Sequence, residues 1–166
     1  MNFYSDKINN EIIDNAPIDT LLNDIDDFKK ECETIIFKYS KGSIHPKYTQ
    51  NILQNENVII AFYCLDNIFS INNCPSILIY DKNKFSLKEV HYYVIFTCTK
   101  RSFRGQGYGS NLFDEFLNRI NAENVNKCIK IILSSLGTSI LFYESYGFKL
   151  TGESILDYPI LLKYEK

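Results

Sequence analysis

Residues 90–120 leave the fold few options, because a strand pattern, a glycine-rich loop and a helix pattern follow one another without a break. Val90–Thr99 is a near-continuous apolar and aromatic run, which predicts a strand buried on both faces of a sheet. Leu112, Phe113, Phe116, Leu117 and Ile120 then recur at helical spacing, with Asp114, Glu115, Asn118 and Arg119 on the other side. The link between them is Lys100-Arg101-Ser102-Phe103-Arg104-Gly105-Gln106-Gly107-Tyr108-Gly109. A buried strand that hands over to a helix in this way belongs to a mixed α/β sheet.

The flanking segments agree. From Ile18 to Tyr39, Leu21, Leu22, Ile25, Phe28, Cys32, Ile35 and Ile36 mark an amphipathic helix, with Asp19 or Thr20 available as cap behind Pro17. His45-Pro46 to Gln54 reads as a short helix or a loop. Val58–Cys64 and Ser76–Tyr80 read as strands, the first followed by turn signals at Asp66-Asn67 and Asn72-Asn73, the second ended by Asp81-Lys82-Asn83-Lys84. Lys127–Leu133 is a further strand. Ile140–Tyr146 is a short helix stopped by Gly147, and Phe148–Leu150 and Ile160–Tyr164 are strands around a Gly152–Pro159 turn region. The expected order is helix, three strands, helix, strand, helix, two strands.

No repeat or long Pro/Gly/Ser linker divides the 166 residues, so a single domain over 1–166 is expected. With 45% hydrophobic and 23% charged residues the chain can build a sizeable core. A net charge of −2 excludes a nucleic-acid binder driven by bulk charge. The acidic balance lies at the front, where residues 1–39 sum to −5, while Lys100, Arg101 and Arg104 form a local basic knot. No apolar run approaches the ~20 residues of a membrane span. The start, Met1-Asn2-Phe3-Tyr4-Ser5-Asp6-Lys7, has no basic region followed by an apolar one, so a cytoplasmic protein is expected. Cys32, Cys64, Cys74, Cys98 and Cys128 are odd in number and make no CxxC pair, which points to reduced thiols packed as small apolar groups and to no metal site.

The glycine loop suits an anion. Glycine admits φ > 0 and close backbone approach, converging N–H groups and the helix dipole attract negative charge, and the basic knot adds full charges. Two familiar phosphate loops fail on spacing. A P-loop needs Lys-Ser/Thr after its second glycine, and Gly105 plus five is Ser110 with no lysine following. A dinucleotide fingerprint needs glycine at 110 or 112, which are Ser110 and Leu112. A glycine cluster can also be no more than a tight turn.

Arg104-Gly105-Gln106-Gly107-Tyr108-Gly109 does match the Arg/Gln-x-x-Gly-x-Gly/Ala signature of the GNAT superfamily of acyl-CoA N-acyltransferases. Ser139-Ile140-Leu141-Phe142-Tyr143-Glu144-Ser145-Tyr146-Gly147-Phe148 resembles that family's second block, Ala-x-x-Leu-Tyr-x-x-x-Gly-Phe. The two blocks lie about one helix and one strand apart, and together they cover residues 90–150. The resemblance implies a mostly antiparallel mixed sheet, splayed between two strands to hold acyl-CoA. It assigns Phe103, Arg104, Gly105, Gln106, Gly107, Tyr108, Gly109 and Ser110 to the coenzyme's pyrophosphate. Thr97, Cys98 and Thr99 would pair by backbone with the pantetheine arm, and an N–H there could polarise the thioester carbonyl. Lys100 and Arg101 suit a phosphate such as the 3′-phosphate, and Phe142 is counted with the coenzyme contacts.

Tyr143 matches the family tyrosine that protonates the departing thiolate. Tyr93, eleven residues before Arg104, falls where several members carry a Glu general base and some N-terminal acetyltransferases a Tyr. Glu89 and His91 share its strand face by parity and are the other titratable candidates. Each has a plainer reading: Tyr143 and Tyr93 as packed core, Glu89 and His91 as solvated strand-end groups. The chain departs from the family pattern at Leu136, where Asn is frequent, at Ser139 for Ala, and at Arg101 for Pro.

The implied reaction is direct acetyl transfer from acetyl-CoA to a primary amine, on a protein N-terminus, a lysine or a small amine, by a monomer or homodimer. Attack needs the neutral amine. At pH 7 that is about one lysine in 2,500 but about one α-amine in ten, so the lack of a carboxylate at position 93 leans slightly away from a histone-type lysine site. The alternative is a GNAT-like domain that binds acyl-CoA or a protein without catalysis.

Overall fold

The computed structural model describes residues 2–7, 25–39, 44–55, 57–65 and 74–165. The elements in chain order are β1 (Asn2–Lys7), α1 (Ile25–Tyr39), α2 (Pro46–Leu53), β2 (Val58–Cys64), β3 (Ser76–Lys84), β4 (Glu89–Thr99), α3 (Tyr108–Glu123), β5 (Cys128–Ser134), α4 (Ile140–Ser145), β6 (Lys149–Ile155) and β7 (Tyr158–Glu165). The seven strands follow the order β1-β2-β3-β4-β5-β7-β6. The β1–β2, β5–β7 and β6–β7 pairs are antiparallel and β4–β5 is parallel, so the sheet is mixed, as expected. The register of β4 with β5 runs from Glu89 to Val94, and Ile95–Thr99 continue past its last pair. Among the described residues no helix is long and apolar enough to cross a membrane.

The chain gathers into two compact units, one of Met1–Ile79 with Phe96–Glu115 and one of Tyr80–Ile95 with Phe116–Lys166. In the first, α1 buries Cys32 and Ile36, one turn apart, and α2 buries Thr49 and Leu53 with the same spacing. Val58, Ile60, Phe62, Ile77, Leu112 and Phe113 complete its core. The segment left open between helix and loop is the helix α2. Pro46 opens it, and His45 caps it by accepting the Lys47 N–H on Nδ1 at 3.2 Å. In the second unit Tyr80, Tyr92 and Phe116 form an aromatic cluster with centroids 4.8–6.1 Å apart. Ile120, Ile129, Ile131, Leu133 and Leu161 pack the rest.

Several expectations are corrected. Strand β1 was not foreseen: Asn2–Lys7 has no clean apolar period, and its ladder to β2 defines it. The helix start read at Ile18 and its caps Asp19 and Thr20 lie outside the described residues, as do the turn signals Asp66-Asn67 and Asn72-Asn73. Asp81-Lys82-Asn83-Lys84 does not end β3. Lys82 can stay in the strand because its Nζ lies 2.7 Å from Glu123 Oε2 and 5.8 Å above the Tyr92 ring. The turn comes later, where the Ser86 N–H bonds the Glu89 carbonyl at 3.0 Å.

Burial along β4 alternates rather than covering both faces. Val90, Tyr92 and Val94 are buried, whereas Glu89, His91 and Tyr93 are half-buried on a face that keeps titratable groups. The expected 152–159 turn shrinks to Leu156 and Asp157, with φ of 48° and 66°, because Ile155 and Tyr158 still pair. Gly152, at φ 84°, sits where the β6–β7 register shifts. Gly147, at φ 84°, does stop α4. Of the thiols, Cys32 and Cys74 are buried but Cys128 is exposed at the start of β5, so packing accounts for only some of them; the Cys64 side chain is outside the described set.

Candidate active site

The two sequence blocks fall in different units, the glycine loop in the first and Tyr143 with Phe142 in the second. In the first unit, β4 ends on a tied corner. The Lys100 N–H bonds the Pro75 carbonyl at 2.8 Å, Thr99 Oγ1 lies 2.9 Å from Ser76 Oγ, and Arg104 Nε reaches back to the Thr99 carbonyl at 3.1 Å. Arg101–Phe103 then form one turn of 3₁₀ helix, with Arg101 and Ser102 exposed. Gln106 Nε2 bonds the Ser102 carbonyl at 3.2 Å across that turn.

Gly105 and Gly107 have φ of 76° and 81°, and a Cβ at either would meet nothing within 4 Å. Glycine stands there for its conformation rather than for lack of space. At Gly109 the reason is the reverse, since a Cβ would lie 2.6 Å from Thr99 Oγ1. The Gly107 carbonyl accepts the Asn111 N–H at 2.9 Å, so α3 opens inside the loop rather than after it. The first-turn N–H groups of Tyr108 and Gly109 therefore point out of the helix start, at the positive end of its dipole. Tyr108 holds this start in place, its ring 5.3 Å from Tyr63 and 5.8 Å from Phe103. Glycines with open space above them, a helix start and three nearby cations fit a diphosphate. Ser110 is half-buried in the same turn, and Thr97, Cys98 and Thr99 are half-buried on β4. Burial pushes the Cys98 thiol up, and Arg104 beside it only partly offsets this, so Cys98 is no ready nucleophile.

In the second unit Tyr143 is 5% exposed on α4, with the Phe142 and Phe148 rings at 5.2 and 5.9 Å. Burial pushes its phenol above the ordinary tyrosine range. On the half-buried face of β4, His91 Nε2 and Glu89 Oε1 are 2.7 Å apart, and the exposed Phe85 ring stacks on His91 at 4.6 Å. Tyr93 Oη makes a long contact of 3.5 Å with Ser134 Oγ on β5. The structure thus joins Glu89 to His91 and leaves Tyr93 with a different partner. Phe85 and Ser134 were not foreseen. Phe85 lay in polar, turn-like sequence, and nothing in the sequence pairs Ser134 with Tyr93.

A glycine loop between a strand and a helix start suits a phosphate-bearing ligand. The sequence matches the acetyltransferase (GNAT) domain over residues 41–161, and the chain belongs to that family. It is therefore an acyltransferase of the N-acetyltransferase class, and its acetyl donor is acetyl-CoA. Among solved structures it is similar to the ribosomal-protein-alanine N-acetyltransferase of Brucella melitensis biovar Abortus 2308, at 12% identity over 94% of this chain and 98% of that one, with a TM-score of 0.62. An acyl-CoA N-acyltransferase from Pseudomonas aeruginosa gives 12% identity over 99% of both chains and a TM-score of 0.62. Arabidopsis thaliana NAA60 in complex with acetyl-CoA gives 10% identity over 84% of this chain and 93% of that one, with a TM-score of 0.58. At these identities the likeness is one of fold. No curated protein sequence matches the chain.

Proposed function

We propose that this enzyme acetylates a primary amine by direct attack on the thioester of acetyl-CoA, with no acetylated enzyme in between. The observation that carries the reading is the start of α3, where two positive-φ glycines and outward N–H groups fit the coenzyme's diphosphate. Lys100, Arg101 and Arg104 add charge to that grip, and backbone groups of Thr97–Thr99 line the pantetheine arm. The raised Cys98 thiol supports direct transfer over a thioester on the enzyme.

In this mechanism the amine nitrogen bonds the carbonyl carbon, the carbon–sulfur bond breaks, the amine gives up one proton and the thiolate gains one. Tyr93, or the His91–Glu89 pair, takes the first proton, directly or through water, and Tyr143 supplies the second. Burial raises the Tyr143 phenol, so it carries its proton at neutral pH and has one to give. An α-amine or small amine suits a site whose position 93 is Tyr rather than a carboxylate. The same reading takes residues 1–166 as one domain, because the chain passes between its two units inside β3, β4 and α3 and not across linkers.

Thiol release from acetyl-CoA, followed over peptides with free N-termini, end-blocked lysine peptides and small alkyl amines, tests this. Turnover is expected on at least one. Binding of acetyl-CoA by calorimetry with no thiol release on any amine would remove the acceptor class.

A further inference from the structure

Strand pairing lays out one face of the second unit in rows, because residues paired across a ladder point to the same side. His91, Lys130 and Tyr164 share one row across β4, β5 and β7. Tyr93, Ile132, Leu162 and Lys149 make the next, about 7 Å along, since alternate residues of a strand are two rises apart. The hydroxyls of Tyr93 and Ser134, in contact at 3.5 Å, mark the end of this face where β4 and β5 stop pairing. This is the face assigned above to the amine proton. It is not sealed: Tyr164 and Lys149 are exposed, and Lys130, Ile132 and Leu162 are half-buried.

Positive charge on this face is unanswered. The Lys130 ammonium lies 6.0 Å above the Tyr164 ring, and among the described residues no carboxylate pairs with it or with Lys149. The lysines on the other side of the same strands differ, Lys82 pairing with Glu123 and Lys163 with Glu165. Glu89 is taken by His91 at 2.7 Å, so it does not serve Lys130. A half-buried ammonium over a ring, beside the apolar Ile132 and Leu162, has lost part of its water and gains from an anion that arrives with a ligand.

We propose that Lys130, with Lys149 beside it, binds a carboxylate carried by the acceptor, so that the enzyme prefers acidic amines to neutral ones. This rests on the acetyl-transfer reading above and adds a charge requirement away from the reacting nitrogen. With the nitrogen at Tyr93 and Ser134, the row spacing puts the carboxylate about 7 Å from it. That is one or two residues into a peptide, or the far end of a short amino acid. Ile132 and Leu162 take the carbon chain in between.

Two matched pairs of acceptors test it: a peptide with Glu at its second position against the same peptide with Gln, and aminohexanoate against its amide. On the parent, kcat/KM is expected to be about tenfold higher for the acid in at least one pair, the scale of a charge-assisted contact at a partly exposed site. Discrimination in the peptide pair names acidic chain ends as the source, and in the other pair free amino acids. Lys130→Gln should remove most of the preference, and Lys130→Glu should turn it towards a peptide with Lys at the second position. Equal kcat/KM within both pairs overturns the proposal, as does a preference that survives Lys130→Gln and Lys149→Gln together in a protein that melts like the parent. If the Lys130 variants do not fold, salt on the parent decides: the preference should fade as ionic strength rises, and a salt-independent preference overturns the proposal. No thiol release by the parent on any amine would instead sink the transfer reading itself, which keeps the two failures apart.

Discussion

The loop from Lys100 to Ser110 and the half-buried face of β4, the two parts of the proposed site, are built from different materials. The loop offers main-chain groups, and its residue types follow from what the backbone must do: positive φ at Gly105 and Gly107, a missing Cβ at Gly109. The face offers side chains from two strands, the Glu89–His91 pair and Tyr93 with Ser134. A backbone site restricts identity at consecutive positions and so leaves a motif. A side-chain site assembled across strands restricts identity at scattered positions and leaves none.

The largest test of this contrast is at Tyr143, a proposed side-chain role that lies inside a motif. Tyr143→Phe is expected to lower kcat about 100-fold, the scale of a lost acid–base group, with acetyl-CoA affinity retained. Single-turnover thiol release measures it. An unchanged rate would assign the second block to packing alone.

Next comes the loop's tightest contact. A Cβ at 109 would lie 2.6 Å from Thr99 Oγ1, which is itself held by Ser76. Gly109→Ala is expected to destabilise the fold by about 1–3 kcal/mol, as overpacking does. Adding Thr99→Ala should recover most of that in denaturant melts, because Oγ1 is the only close atom. At Gly107 there is space but φ is 81°, so Gly107→Ala should show conformational strain alone, about 1 kcal/mol. It should also weaken acetyl-CoA binding by calorimetry, since strain there moves the first N–H groups of α3. Equal stability losses at 107 and 109, both relieved by Thr99→Ala, would erase the distinction between conformation and space.

The smallest effect concerns the helix-facing side of the same sheet. Burial alone would raise the Glu123 carboxyl and lower the Lys82 ammonium, but their hydrogen bond, with Arg119 also on Glu123, reverses both. Glu123 is thus held below its ordinary range, so its contribution to stability is present above about pH 4.3 and lost as pH falls through the lower folded value. Lys82 is held above its range, so its contribution is present below about pH 10.4 and lost as pH rises through the higher one. Glu123→Gln should flatten the acid-side fall in melting temperature while leaving the amine KM alone. A change in amine KM would join the two faces functionally and blur the contrast.

Much of the fold was legible in the residues. Period and turn chemistry located α3, α4, β2 and β4 to within a few positions, since each carries its own apolar pattern. Where reading failed, a partner elsewhere in the chain supplied what the segment lacked. β1 takes its definition from β2, Lys82 stays in β3 because Glu123 neutralises it, and the β6–β7 turn tightens because Ile155 and Tyr158 pair. The candidate site divides likewise. Every loop residue was named from the motif, whereas Ser134 read as an ordinary strand end.

Residue order alone settled the mixed strand-and-helix architecture, the glycine-rich turn into α3 and the family, because backbone conformation and hydrophobic period are local properties. Tertiary structure alone decided which face of β4 is only half-buried and which groups pair there. Those outcomes depend on register between strands and on what covers each face, and pairing between distant segments is not encoded at any single stretch of chain.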